Sequence, residues 1–231
     1  SIFLKKKIVF TAHSMNVPIN NLSRYNKVLA ISKAVKNDIE RRSNIKSALI
    51  HNGIRTEDIR HKENYNFDTF RIVQIGRLNH TIKGQHILLA ALKILVHENG
   101  ITNINVDFIG TGHSLDYLKD LTKDYKLEKH VNFLGSRART YIYDHLKDYN
   151  LLIQPSLYEG FGLTIVEAMA AKVPVLVSDI DGPVEIIEQG RYGFLFRSED
   201  SIDCANAILD MRHIYGSNEF MEKINASYIH V

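Results

Sequence analysis

The chain has 231 residues, 45% apolar and 24% charged, a globular mix that excludes a disordered or low-complexity chain and suits one large α/β domain or roughly one and a half ordinary ones. Its longest near-apolar stretch, residues 87–96, is interrupted by Lys93 and falls short of the ~20 residues that span a bilayer, and its single cysteine, Cys204, excludes an intrachain disulfide and suits a reducing, cytoplasmic compartment. The net charge of +3 is unevenly shared: residues 1–62 carry 13 Lys and Arg against 4 Asp and Glu (+9), and the remainder 16 against 22 (−6).

The chain opens at Ser1 and enters a strand pattern over 7–11. A second apolar run, 28–31, precedes a helix opened by Ser32, a good N-cap, and running to about Arg42. A short strand over 48–50 ends in the turn His51-Asn52-Gly53. These pieces resemble the tail of a domain, expected over 1–62, whose beginning lies ahead of the chain. Residues 61–69 are polar and turn-rich, the expected linker to a second domain over 63–231. From there strands over 71–75, 105–109, 131–134, 150–154, 173–178 and 193–196 alternate with helices. The helices are predicted over 85–98, 114–126, 140–148, 163–171, 183–189 and 201–214. Short apolar strands alternating with amphipathic helices predict a Rossmann-like α/β fold, with a parallel sheet covered on both faces, plus part of a second such domain. Ligands of such sheets bind at the carboxyl ends of the strands, so the strand-to-helix loops carry the chemistry.

The richest loop runs Ser156-Leu-Tyr-Glu159-Gly160-Phe161-Gly162-Leu163-Thr164-Ile-Val-Glu167-Ala-Met-Ala-Ala. Two carboxylates lie eight residues apart across a strand-to-helix junction. The glycines permit close backbone approach, and the free N–H groups of a helix start attract an anionic group such as phosphate. A loop carboxylate can accept from sugar hydroxyls, and one on the helix can hold a ribose diol. The plainer alternative is that both glutamates only complement the positive helix end.

This stretch resembles the E-x7-E motif of retaining GT-B glycosyltransferases, the group called family four. The resemblance implies that Glu159 contacts the donor sugar, that Gly160, Phe161, Gly162, Leu163 and Thr164 offer backbone to sugar and diphosphate, and that Glu167 holds the ribose. Gly76-Arg77-Leu78 followed by Lys83-Gly84 resembles the loop whose Arg and Lys neutralise the diphosphate. The Arg-to-Lys gap of six is one longer than the usual spacing. Gly110 of Ile109-Gly110-Thr-Gly112 resembles the central G-x-G. Ser136 and Arg137, after Val131-Asn-Phe-Leu-Gly135, fall where the family meets the nucleobase, and His13 of Phe10-Thr-Ala-His13-Ser falls where a strand-end histidine lies near the sugar. Asp181-Gly-Pro-Val-Glu185 matches a turn-and-helix segment in which Glu185 reads as structural. A full member also carries more of the acceptor-side domain, with a glycine-rich loop, and a final helix that would begin near 226–231.

The family implies transfer with retention from a nucleoside diphosphate sugar to a glycan or lipid-linked acceptor. It implies no metal and no cofactor, because Arg77, Lys83 and helix amides neutralise the leaving group. No His/Cys ligand cluster is present to argue otherwise. Two other readings stay open: a fragment that binds nucleotide sugar without turning it over, and a non-transferase GT-B enzyme such as an epimerase. The basic front segment fits a solvated surface or peripheral contact with the inner membrane face. Without aromatic interleaving or a recognisable module it does not fit nucleic acid.

Overall fold

A computed structural model describes residues 7–231, so the first six residues of the predicted front unit, with two of its basic side chains, lie outside the described residues. In front is a three-stranded parallel sheet in the order β1-β2-β3, made of β1 (Val9–Ala12), β2 (Lys27–Ala30) and β3 (Ala48–Leu49). Between β2 and β3 runs α1 (Lys33–Ser43), where the Ser32 hydroxyl accepts from the Val35 N–H at 3.1 Å and Asn44 ends the helix in the left-handed region.

The second sheet has six parallel strands: β4 (Phe70–Ile75), β5 (Ile104–Ile109), β6 (Val131–Gly135), β7 (Leu151–Gln154), β8 (Val175–Ser178) and β9 (Phe194–Phe196). Their spatial order is β6-β5-β4-β7-β8-β9. The chain starts at β4, winds outward through β5 and β6, then returns to the other side of β4 and winds outward again. The loops leaving β4 and β7 thus lead in opposite winding directions from neighbouring carboxyl ends, the place where such sheets bind their ligands.

Helices α3 (Gln85–Lys93), α4 (Leu115–Asp124) and α8 (Ser201–Ile214) contribute to one core around Phe70, Phe108, Leu151 and Phe196. The other core gathers residues of α5 (Arg139–His145), α6 (Leu163–Ala170) and α7 (Asp181–Ile186) around Val73, Leu152 and Val177. That second core continues into the front sheet through Val28, Val35 and Ile39, so the two sheets share apolar packing. The interior strands β7 and β8 are buried along their whole length, which accounts for their near-continuous apolar runs. Cys204 lies fully buried on α8, where burial pushes its thiol pKa up.

Three stretches depart from the predicted elements. The helix expected over 85–98 is α-helical only to Lys93 and widens into a π turn over Ile94–Glu98, with the Asn99 N–H donating to Ile94 O at 3.0 Å. A single turn, α2 (His80–Lys83), interrupts the loop after β4 and is too short to show helical periodicity. A further helix, α9 (Asn218–His230), is capped by Ser217 and buries Phe220 and Ile224, where the sequence suggested that an element would only be starting. Among the described residues no helix is long and apolar enough to cross a membrane.

Candidate active site

The site at the carboxyl ends of β4 and β7 is built from both loops. After β4 the chain passes Gly76 and Arg77, forms α2, and stops it with Gly84 in the left-handed region. A β-carbon at Gly84 would lie 1.8 Å from Pro155 O, so glycine is what lets this loop close onto the end of β7. Lys83, the last residue of α2, thereby reaches Glu159 and forms an ion pair with its Oε2. The same oxygen accepts from Gln154 Nε2 at 2.9 Å.

Gln154 is the last residue of β7 and is 1% exposed. Its amide also donates to Ser156 Oγ at 2.9 Å, and its Oε1 accepts from the Thr164 hydroxyl at 3.4 Å. A second buried glutamine, Gln74 of β4, donates to Lys83 O at 2.8 Å, and a third, Gln85, donates to Arg77 O at 3.1 Å. Each loop is thus held from below by a neutral amide. The sequence reading passes over all three, although a lone glutamine near the end of an apolar strand run (Ile-Val-Gln-Ile; Leu-Ile-Gln-Pro) is a usable signal, since a buried polar group must be hydrogen-bonded.

Beside this group lies a cleft of about 310 Å³ lined by Gly76, Arg77, Gly110, Thr111, Ser136 and Arg137, with Ile75, Ile109 and Ile142 behind them. Arg77 and Arg137 are exposed, and the Arg137 guanidinium lies 5.3 Å from the centre of the Tyr141 ring. The predicted Arg77, Gly110 and Arg137 therefore meet in one place. At Gly110 the requirement for glycine is local packing, because a β-carbon there would sit 1.9 Å from Gly76 O.

Helix α6 begins after Gly162, at φ +112°, with no side chain capping its first N–H groups. Leu163 is half-buried in the core and Thr164 turns its hydroxyl to Gln154. Glu167, just over one turn into α6, is buried with its carboxyl pKa raised by burial; the Arg139 charge and the Tyr143 hydroxyl, 3.4 Å from Oε1, act the other way. It is an incompletely partnered carboxylate.

The front sheet supplies the opposite side. His13, exposed just after β1, presents its main chain to the glycine loop, its carbonyl oxygen lying 3.3 Å from where a Gly160 β-carbon would be. The Phe161 ring is only 7% exposed and stacks on His51 with centroids 5.7 Å apart. Its side chain joins the two sheets, so this residue has only its main chain to offer a ligand. Glu185 bridges the units as well: its carboxylate accepts from the Lys33 N–H at 2.7 Å and faces His51 Nε2 at 3.0 Å. Gly182 packs directly beneath the loop, where a β-carbon would fall 2.4 Å from Glu159 O.

An Asp-x-Asp triplet, Asp179-Ile180-Asp181, does occur in the chain, which corrects the expectation that it has none. Asp179 Oδ1 accepts from the Ser198 N–H at 2.7 Å and Asp181 opens α7. Among the described residues no group of three or more His, Cys, Asp or Glu converges as a metal site would require. A roomier cleft, about 850 Å³, follows the linker past Arg60, Lys62, Asp144 and Asp148 and is lined by no residue of the loops after β4 and β7. Lys62 is buried there, its Nζ 3.2 Å from Lys147 O, and burial brings its pKa down to about 8.

Comparison with known proteins places the chain in a family and among solved folds. The profile of the family described as Glycosyl transferases group 1 matches residues 55–226. An uncharacterized glycosyltransferase of Methanocaldococcus jannaschii is 27% identical over 207 residues, covering 86% of this chain and 55% of the relative. The poly(ribitol-phosphate) alpha-N-acetylglucosaminyltransferase of Staphylococcus aureus is 29% identical over 196 residues, covering 84% of this chain and 38% of the relative. The chain thus spans roughly two fifths to a little over half of the length of these two relatives. Among solved structures, Anabaena HepE in complex with UDP-glucose superposes with a TM-score of 0.82 at 25% identity, covering 97% of this chain and 67% of that one. Staphylococcus aureus TarM, at 24% identity, shares the fold with a TM-score of 0.80 over 97% of this chain and 47% of that one.

Proposed function

The chain belongs to the glycosyl transferases group 1 family, and from that premise we propose that it forms the donor-binding part of a retaining GT-B glycosyltransferase, moving a sugar from a nucleoside diphosphate sugar to a glycan or lipid-linked acceptor. The observation that carries the reading is the meeting of Lys83 and Glu159 where the strand order reverses, next to a cleft edged by Arg77 and Arg137. In this reading residues 63–231 bind the donor and residues 1–62 belong to the acceptor side.

The diphosphate lies between Arg77, Lys83 and the uncapped N–H groups of α6. A guanidinium fork and a mobile ammonium suit a phosphate pair that gains charge as the glycosyl bond breaks, and fixed donors aimed at that charge lower the barrier. Lys83 leaves Glu159 for phosphate, and Glu159 then accepts from sugar hydroxyls, with the main chain from Gly160 to Thr164 and the His13 region closing the sugar site. Glu167 receives the ribose diol, whose two hydroxyl donors offset the cost of burying that carboxylate. Arg137 and Ser136 face the base. Protein cations supply the charge neutralisation, so neither metal nor cofactor is required. The acceptor attacks from the leaving-group face, and no side chain need serve as nucleophile.

HepE was solved with UDP-glucose, which makes UDP-sugars the first donors to try. Titration calorimetry with UDP-, GDP- and ADP-sugars tests the reading, and an absence of binding to all of them sinks it. Because the chain spans only part of its relatives' length, binding and turnover are separate measurements, and donor binding without transfer would support the second reading, a binding module. Contact of the basic front segment with the cytoplasmic membrane face predicts co-sedimentation with phosphatidylglycerol vesicles but not with neutral ones.

A further inference from the structure

We propose that Gln154 is the positioning residue for Glu159, fixing the sugar-facing carboxylate and the first turn of α6 as one unit. The inference rests on the donor-site reading above and goes beyond it in assigning how that carboxylate is held. Glu159 Oε2 has two donors, the Lys83 ammonium and the Gln154 amide. They differ in kind. Lys83 ends a one-turn helix on a loop, carries a mobile charge, and has diphosphate as an alternative partner. Gln154 sits at the end of a central strand, is 1% exposed, and spends every polar atom within the site: Nε2 on Glu159 and Ser156 Oγ, Oε1 on the Thr164 hydroxyl. A neutral amide cannot follow the phosphate. When Lys83 moves to the leaving group, the Gln154 bond is the one that remains to keep Glu159 aimed at the sugar.

The same side chain ties that carboxylate to Thr164 in the first turn of α6, whose N–H groups face the diphosphate in the proposed site. Sugar contact and phosphate contact are thereby kept in register by one buried group, a geometry in which small displacements are costly to rate. Packing alone does not account for the residue, because leucine or methionine would fill the same strand position in a fully buried parallel sheet.

The test uses the full chain with Gln154→Met, Glu159→Gln and the double variant, and Gln154→Glu in case the Met form does not fold. Gln154→Glu keeps the shape and the hydroxyl partners but turns a carboxylate toward Glu159. Two readouts are taken, after circular dichroism establishes folding: backbone hydrogen exchange over residues 159–164, and kcat and KM for the nucleotide sugar. Gln154→Met is expected to speed exchange in that loop by about tenfold and to lower kcat by about tenfold to a hundredfold, with KM within about twofold. In the Glu159→Gln background it should lower kcat by much less than in the wild type, with only the Thr164 tie left to lose. Unchanged exchange in the single variant, or fully additive losses in the double variant, overturns the proposal. A wild-type chain that binds no nucleotide sugar sinks the transferase reading instead, and the exchange measurement still decides the role of Gln154.

Discussion

Lys83 and Glu159, 76 residues apart in the sequence, close an ion pair across the point where the strand order of the large sheet reverses. Among the described residues neither makes a second ion pair, and both are largely shielded, at 22% and 15% side-chain exposure. Replacing one partner therefore leaves the other in a place built for two.

Lys83→Ala should lower kcat for sugar transfer by on the order of a hundredfold, about 3 kcal/mol of barrier, as for the loss of one fixed donor to a developing oxyanion. Glu159→Gln should also lose turnover, but UDP should bind at least as tightly as to the wild type, because Lys83 no longer has a carboxylate to leave. Weaker UDP binding by Glu159→Gln, measured by calorimetry, would contradict this exchange of partners.

Arg77→Lys is expected to behave nearly as badly as Arg77→Ala. The compact ammonium cannot reproduce the two-pronged contact of a guanidinium with phosphate. Both substitutions should weaken UDP by about tenfold to a hundredfold while leaving the melting temperature nearly unchanged, since the side chain is exposed.

Gly182→Ala places a methyl group against Glu159 O, 2.4 Å away by ideal geometry. Overpacking of this kind costs about 1–3 kcal/mol. The loop above is what yields, so kcat should fall by more than urea denaturation would suggest.

Glu185→Ala removes two acceptors at once, one for the Lys33 N–H at the start of α1 and one for His51 of the front sheet. A loss of about 1–2 kcal/mol in urea unfolding is expected, with α1 and residues 51–54 exchanging their amide hydrogens sooner than β4.

Lys62 makes stability depend on alkaline pH. Its folded pKa, about 8, lies below the ordinary lysine value of 10.5, so between these two pH values the unfolded chain binds the extra proton. Stability should accordingly rise with pH across that window, and below about 8 the cost of the buried ammonium is constant. Lys62→Met should flatten this dependence and be at least as stable as the wild type at pH 7, read by urea unfolding at several pH values.

The order and type of nearly every strand was legible, because parallel strands buried on both faces write unbroken apolar runs, and α1 carries its own start signal in Ser32. The meeting of Glu159 and Lys83 was legible through the motif resemblance and through loop position, since both leave carboxyl ends of neighbouring strands. What was not legible has local causes. One turn of helix at α2 is shorter than any period. The amides beneath the loops, Gln74, Gln85 and Gln154, are marked only by being polar where their neighbours are not. Phe161 was expected to offer its main chain only, and the partner of its ring, His51, comes from a distant part of the chain that sequence position does not reveal.

Cys204 offers a consequence for handling the molecule. It is the chain's one sulfhydryl, completely shut inside α8 with its proton held tightly by its surroundings. A chromogenic disulfide reagent can react with it only after that helix lifts from the sheet, so colour develops at the pace of opening. Donor nucleotide, if it clamps the loops after β4 and β7, will slow that clock only to the extent that those loops and α8 come apart together.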